Sequence, residues 1–268
     1  MVSVQYVHGY SSRESKRLHD QAQTLTTLLH ADTIYSPTSL ILEAGCGVGA
    51  QTLILAKNNP QTQILSLDIS SESIKTAKMR IKELGYSNVS FLNGDLFSLP
   101  LKAETFDHIF ICFVLEHLPL PGKALEFLKV ALKPGGTITV IEGDHGSAFF
   151  YPDSTVAKKT IQCLIDLQAK KGGNSLIGRQ LFPLLSSAGF QNVFVSPRMV
   201  YADASLPSMV EGFTKNTFNA MIEGVKEQSI DTKMISEKEW DTGIRALYRT
   251  SEKDGVFCYT FFKAIGTK

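Results

Sequence analysis

The stretch Leu40-Ile41-Leu42-Glu43-Ala44-Gly45-Cys46-Gly47-Val48-Gly49-Ala50-Gln51-Thr52 limits the possible folds more than any other part of the chain. Its apolar opening, Leu40 to Leu42, is bounded by Pro37-Thr38-Ser39 and by glycine, and reads as a buried strand. Glycines at alternate positions follow, then Leu53, Ile54 and Ala56 at helical spacing. A strand that turns on glycine into a helix is how an α/β sheet makes a nucleotide site. Glycine permits positive φ and lets a ligand come close to backbone N–H groups. The helix N-terminus adds free donors and a partial positive charge.

The glycine spacing alone leaves the ligand open. Gly45-x-Gly47-x-x-Ala50 satisfies the dinucleotide fingerprint, so a nicotinamide or flavin enzyme stays in play at this point. The neighbouring acids narrow the choice. Glu43 stands two residues before the first glycine, and Asp68 ends the next predicted strand, Ile64-Leu65-Ser66-Leu67-Asp68, where an acid meets ribose hydroxyls. Asp95 follows the third strand in Asn93-Gly94-Asp95-Leu96, and no Arg or Lys lies within the glycine loop.

With these residues in place the chain resembles the class I S-adenosylmethionine-dependent methyltransferases. Glu43-Ala44-Gly45-Cys46-Gly47-Val48-Gly49 is similar to that family's first motif. Leu67-Asp68-Ile69-Ser70, Gly94-Asp95, Phe106-Asp107 and Leu132-Lys133-Pro134-Gly135-Gly136 are similar to its later motifs, in order and spacing. The match runs from about residue 10 to about residue 200, nearest to the small-molecule methyltransferases of the ubiquinone/menaquinone-biosynthesis type. It implies S-adenosylmethionine as cofactor and a Rossmann-like α/β fold: a seven-stranded, mostly parallel sheet with helices on both faces.

Hydrophobic periodicity gives the layout. Leu18, Ala22, Leu25 and Leu29 form one apolar stripe on a helix that starts near Ser11 or Ser12. Arg17 and Gln21 fall on another face, as an intrahelical pair or as part of a site. Strands are predicted at 39–44, 63–68, 88–93, 106–112, 137–142 and 191–201, alternating with helices over 50–58, 71–84, 122–132, 154–171 and 178–188. Such alternation implies a largely parallel sheet. Residues 143–153 read as a loop, and 207–228 and 236–250 as two helices before a final β-rich run. We therefore expect an arm over the cofactor at 1–36, a binding core at 37–202, a helical cap at 203–254 and a last edge strand at 255–268.

Bulk properties exclude some roles. A net charge of +1 gives no general footprint for nucleic acid, and no apolar run is long enough to span a membrane. Cys46, Cys112, Cys163 and Cys258 lack metal spacing and read as reduced thiols, so a cytoplasmic protein without a metal is expected. Met1 to Ser12 shows no signal-peptide pattern, and nothing indicates an oligomeric state.

The resemblance assigns roles residue by residue. Tyr10, in a Gly-Tyr-Ser segment, would wall the cofactor pocket. Asp68 would accept both ribose hydroxyls, with Ile69 beside it. Gly94, Asp95 and Leu96 would meet the adenine. Glu43 and the N–H groups of Gly45, Gly47 and Gly49 would meet the methionine end, and Cys112 and Phe113 would border the cofactor. From the residues themselves, His145 next to Asp144 is the preferred acid–base candidate, with His117 a second. Hydrogen bonds that pin the loop are the alternative for each. Arg179, Tyr201 and Phe149 are candidate substrate contacts. The expected function is methyl transfer to a small molecule. A protein or RNA methyltransferase, or a protein that holds the cofactor without methylating, is the rival.

Overall fold

The computed structural model describes residues 12–99 and 101–268. Tyr10 lies outside the described residues. A seven-stranded sheet in the order β3-β2-β1-β4-β5-β7-β6 forms the centre. Its strands are β1 (Leu40–Ala44), β2 (Gln63–Asp68), β3 (Val89–Asn93), β4 (Phe106–Cys112), β5 (Leu132–Tyr151), β6 (Gln191–Asp203) and β7 (Val256–Thr267). The first five pair in parallel, and β7 runs antiparallel to both β5 and β6. The strand order reverses between β1 and β4, which opens a crevice at their carboxyl ends.

Helices cover both faces, and their ends follow local chemistry. In α3 (Ser71–Glu83) the Ser70 hydroxyl accepts the Ser73 N–H, and Ile74, Ala77 and Ile81 form the buried stripe. In α5 (Thr155–Lys170) Ser154 does the same for the Ala157 N–H. α2 (Ala50–Asn58) is entered from Gly49 in the left-handed region, where the Ala77 Cβ of α3 leaves no room for a side chain. α1 (Ser12–His30) is tied down at its C-terminal end. There the buried Lys263 of β7 donates to Asp32 Oδ1 at 2.6 Å, Thr33 Oγ1 at 2.7 Å and the Leu29 carbonyl at 3.2 Å. A buried ammonium is tolerated when its donors are satisfied in this way.

Three expectations change. Residues 143–151 continue β5, with a bulge against β7 between Asp144 and Phe149. The period-two pattern shows there as buried Phe150 between exposed Phe149 and Tyr151, masked in the sequence by neighbouring glycines. Residues 255–268 supply an interior strand rather than the edge: β7 inserts between β5 and β6. Phe257, Cys258, Tyr259, Phe261 and Ala264 bury β7 on both faces, which suits a strand with neighbours on both sides, and β6 takes the edge. The helix expected at 207–228 is broken into α7 (Pro207–Met209), a π-helix (Val210–Asn219), α8 (Ala220–Glu223) and α9 (Lys226–Asp231). Gly212 of the π-helix lies against Thr24 of α1, where a Cβ would overlap the threonine. The helix expected at 236–250, α10 (Glu237–Arg249), starts at a capping box of Ser236 and Glu239.

Candidate active site

One cavity of about 850 Å³ opens at the carboxyl ends of β1, β2 and β4, within the roughly 300–1,000 Å³ range of small-molecule sites. Of the expected cofactor residues, Gly45, Gly47, Asp68, Ile69, Gly94, Asp95, Leu96, Cys112 and Phe113 line it. The glycine turn supplies space more than donors. The Gly45 and Cys46 N–H groups are bound to the Leu67 carbonyl, and the Gly49 N–H to the Cys46 carbonyl. The Gly47 N–H goes to Asp68 Oδ2 at 2.7 Å. Nothing lies within 4 Å of a Cβ built on Gly47, where φ is +52°, so a ligand can approach the bare backbone. Gly45 must be glycine for another reason: a side chain would overlap Val114, which closes the turn from the β4 side.

Asp68 is organised for hydroxyl binding. Its Oδ1 accepts the Ser70 N–H at 2.8 Å and its Oδ2 the Gly47 N–H, and each oxygen keeps a further lone pair. Burial raises its pKa, opposed by those two backbone bonds. Asp95 Oδ1 accepts the Phe97 N–H at 2.9 Å, which sets the loop that carries Leu96. Two expected contacts fall behind the wall. Glu43 Oε2 accepts the hydroxyls of Thr52 at 2.7 Å and Ser66 at 2.6 Å, and Glu43 does not line the cavity. Burial pushes its pKa up to about 7. Gly49 serves the packing of α2 on α3 instead.

Beyond the glycine turn the cavity continues into a chamber walled by Arg17, Gln21, Glu116, His117, His145 and Tyr259, with Phe213, Thr217, Phe218, Met221 and Phe261. Arg17 donates to Gln21 Oε1 at 3.1 Å, so the two are an intrahelical pair and also part of the wall. His145 Nδ1 lies 2.8 Å from the Tyr259 hydroxyl, and its backbone N–H donates to the Ser175 carbonyl at 2.9 Å. Burial holds the His145 pKa below its ordinary value, against the pull of the Glu116 and Asp144 carboxylates. Its ring is therefore neutral near pH 7 and able to take a proton.

Asp144 does not orient His145. Its carboxylate is gripped by Arg179, Nε to Oδ2 at 2.7 Å and Nη2 to Oδ1 at 2.8 Å. That bidentate pair accounts for Arg179 as a loop clamp outside the cavity lining, in place of the expected substrate contact. Phe149 and Tyr201 are 55% and 44% exposed and do not line the cavity either, because both stand on the outward side of their strands. His117 does line it, with Nε2 at 3.7 Å from Glu116 Oε1.

Sequence reasoning missed Glu116 and Tyr259. The Glu116 side chain is 12% exposed, and Gln168 Nε2 donates to its Oε2 at 3.0 Å. Burial raises its pKa, but His117, His145, Gln168 and Arg17 outweigh that and hold it below the usual carboxylate value. Glu142 sets this turn: its Oε1 accepts the N–H groups of Val114 at 2.9 Å and Leu115 at 2.7 Å. The signal for Glu116 was an acid beside a histidine just past β4. Tyr259 gave none, since it reads as one more aromatic in a β-rich run.

The methyltransferase-domain family matches residues 36–180, more than half of the chain. The chain belongs to that family. It is 32% identical over 191 residues to an uncharacterized 37.1 kDa protein in transposon TN4556 of Streptomyces fradiae, covering 70% of this chain and 54% of that protein. It is 32% identical over 112 residues to the demethylmenaquinone methyltransferase of Lactococcus lactis subsp. lactis, covering 41% and 44%. The chain thus spans about half the length of these relatives. In fold it is similar to phosphoethanolamine N-methyltransferase 2 of Haemonchus contortus, with a TM-score of 0.57 at 16% identity, over 93% of this chain and 52% of that one. The cofactor that goes with this methyltransferase fold is S-adenosylmethionine. The open Gly47 backbone and the spare lone pairs of Asp68 fit its size and its ribose.

Proposed function

We propose that this methyltransferase transfers a methyl group from S-adenosylmethionine to a small molecule whose acceptor atom arrives carrying a proton. The cofactor would supply the activated methyl group. Asp68 would hold its ribose hydroxyls, Asp95 and Leu96 its adenine, and the Gly45–Gly47 backbone the space for its methionine end. The chamber would hold the acceptor in line and exclude water. His145 would take the acceptor's proton.

The observation that carries this reading is continuity: a single cavity joins the glycine turn to the chamber of Glu116, His145 and Tyr259. The chamber's wall includes Phe213, Thr217, Phe218 and Met221 of the 203–254 segment, which fits a cap over a compact acceptor better than an open platform for protein or RNA. Among the described residues no helix is long and apolar enough to cross a membrane. The four free cysteines are buried, which suits a reducing compartment such as the cytoplasm. Calorimetric titration with S-adenosylmethionine and with NAD tests the cofactor. Binding of the first alone is expected, and tight NAD binding without it would overturn the reading.

A further inference from the structure

The chamber contains a hydrogen bond that the function above does not require. His145 and Tyr259 stand 114 positions apart, on β5 and β7, yet Nδ1 and the phenol oxygen meet at 2.8 Å. Both residues are buried and both line the cavity. The strand opposite leaves room for the contact. A Cβ on Gly143 would overlap the Tyr259 hydroxyl, so the oxygen end of Tyr259 lies against a residue that itself lines the cavity.

His145 is held from several sides. Its ring meets Phe218 edge-on at 6.4 Å between centroids, and its main chain is bound to Ser175. The Asp144 carboxylate is taken by Arg179. Tyr259 is therefore the side chain that orients the ring through a hydrogen bond. Burial pushes the Tyr259 hydroxyl well above its ordinary pKa, so it keeps its proton and cannot serve as a phenolate by itself. A phenol is a good donor and also carries lone pairs on the same oxygen. Donating to Nδ1 leaves those lone pairs free to accept.

We propose that Tyr259 is a catalytic residue of this site, whose hydroxyl oxygen receives the acceptor's proton while its own proton passes to His145 Nδ1. This rests on the proposed function, because it presupposes an acceptor that carries a proton. The acceptor's O–H or N–H bond breaks and its electron pair stays on the acceptor. Tyr259 ends as the phenol it was, and His145 ends as imidazolium. After product leaves, the proton returns to water. The charges that face His145 are Glu116 and His117 from the turn after β4, Arg17 from α1 and Asp144 from its own strand. Of these, Glu116 and Asp144 favour the imidazolium and Arg17 and His117 oppose it. With Asp144 tied to Arg179, Glu116 is the stabilising partner inside the chamber.

The first test needs no substrate. Nitrogen-15 spectra of the histidine-labelled protein, with His145 assigned by its loss in His145→Gln, report which ring nitrogen carries the proton. The relay expects a bare Nδ1 and a protonated Nε2 in the neutral ring. A protonated Nδ1 overturns it, because Tyr259 is then the acceptor in this bond and cannot pass a proton on. The same samples are titrated with S-adenosylmethionine. Binding together with the wrong tautomer sinks the relay and spares the function, whereas failure to bind sinks the function. With an acceptor in hand, Tyr259→Phe is expected to lower kcat by about 10²–10⁴-fold, with KM and cofactor Kd within about threefold of the parent. Near-normal turnover overturns the relay. Glu116→Gln should move the His145 titration to lower pH, and an unchanged titration removes Glu116 from it.

Discussion

Between the glycine turn and the chamber of Glu116, His145 and Tyr259, the cavity changes in how its wall is assembled. At the glycine turn Gly45, Gly47, Asp68, Gly94 and Asp95 stand at the carboxyl ends of adjacent parallel strands. In the chamber Arg17, Glu116, His145, Phe218 and Tyr259 come from α1, the turn after β4, β5, the 203–254 segment and β7. Backbone geometry is set by local sequence, and at Gly45 and Gly49 there is no room for a side chain. A chamber assembled from distant segments can change one wall at a time.

If the two regions are energetically separate, a change in one should leave the other's function alone. The largest effect is expected from His145→Ala, which should lower turnover by roughly 10²–10⁴-fold while cofactor affinity stays nearly constant. Steady-state kinetics beside calorimetry would check it, and a cofactor Kd that moved with kcat would merge the two regions.

The next largest effect lies behind the glycine turn. Burial raises the folded Glu43 pKa from the usual 4.5 to about 7, so between those values the folded state binds a proton that the unfolded state has lost. Stability therefore falls as pH rises through that window, by about 3 kcal/mol in all, and levels off above it. Glu43→Gln should flatten this dependence, since its amide can still accept the Thr52 and Ser66 hydroxyls. Urea unfolding at several pH values measures it, and parallel curves for parent and variant would contradict the protonated Glu43.

A smaller effect is expected from Asp68→Ala, which should weaken S-adenosylmethionine binding by more than about tenfold, as loss of hydrogen bonds to a charged group of about 1.5–3 kcal/mol implies. The same change frees the Gly47 N–H, so Asp68→Asn serves as the gentler comparison. An unchanged Kd in both would place the ribose elsewhere. The smallest expected change is in the cap, where S-adenosylhomocysteine with an acceptor should slow hydrogen exchange across 203–254 more than in α3. Equal protection in every state would leave the cap as a fixed wall.

What could be read from the chain follows the same division. The places of the β1 turn, Asp68 and Asp95 on the cavity wall were legible because a motif fixes backbone geometry within a few residues. His145 was legible as a histidine past a strand end, but its partner was not, because Tyr259 lies 114 positions away and its role depends on β7 entering the sheet beside β5. Asp144 misled for the converse reason: it is next to His145 in sequence, yet successive residues on a strand point to opposite sides, and Arg179 waits on the other one. The resemblance made Glu43 a ligand contact, and only the hydroxyls of Thr52 and Ser66 show that it faces inward.

The position of β7 also bears on how the protein is made. During synthesis β6 emerges before the strand that must lie between it and β5. Until residues 256–267 follow, the β5 edge and β6 each expose unpaired backbone, the condition that invites pairing with foreign strands. A chain interrupted anywhere in the cap would lack more than an outer strand. It would leave β6 cut off from the five strands that end at β5, and the Tyr259 wall never built.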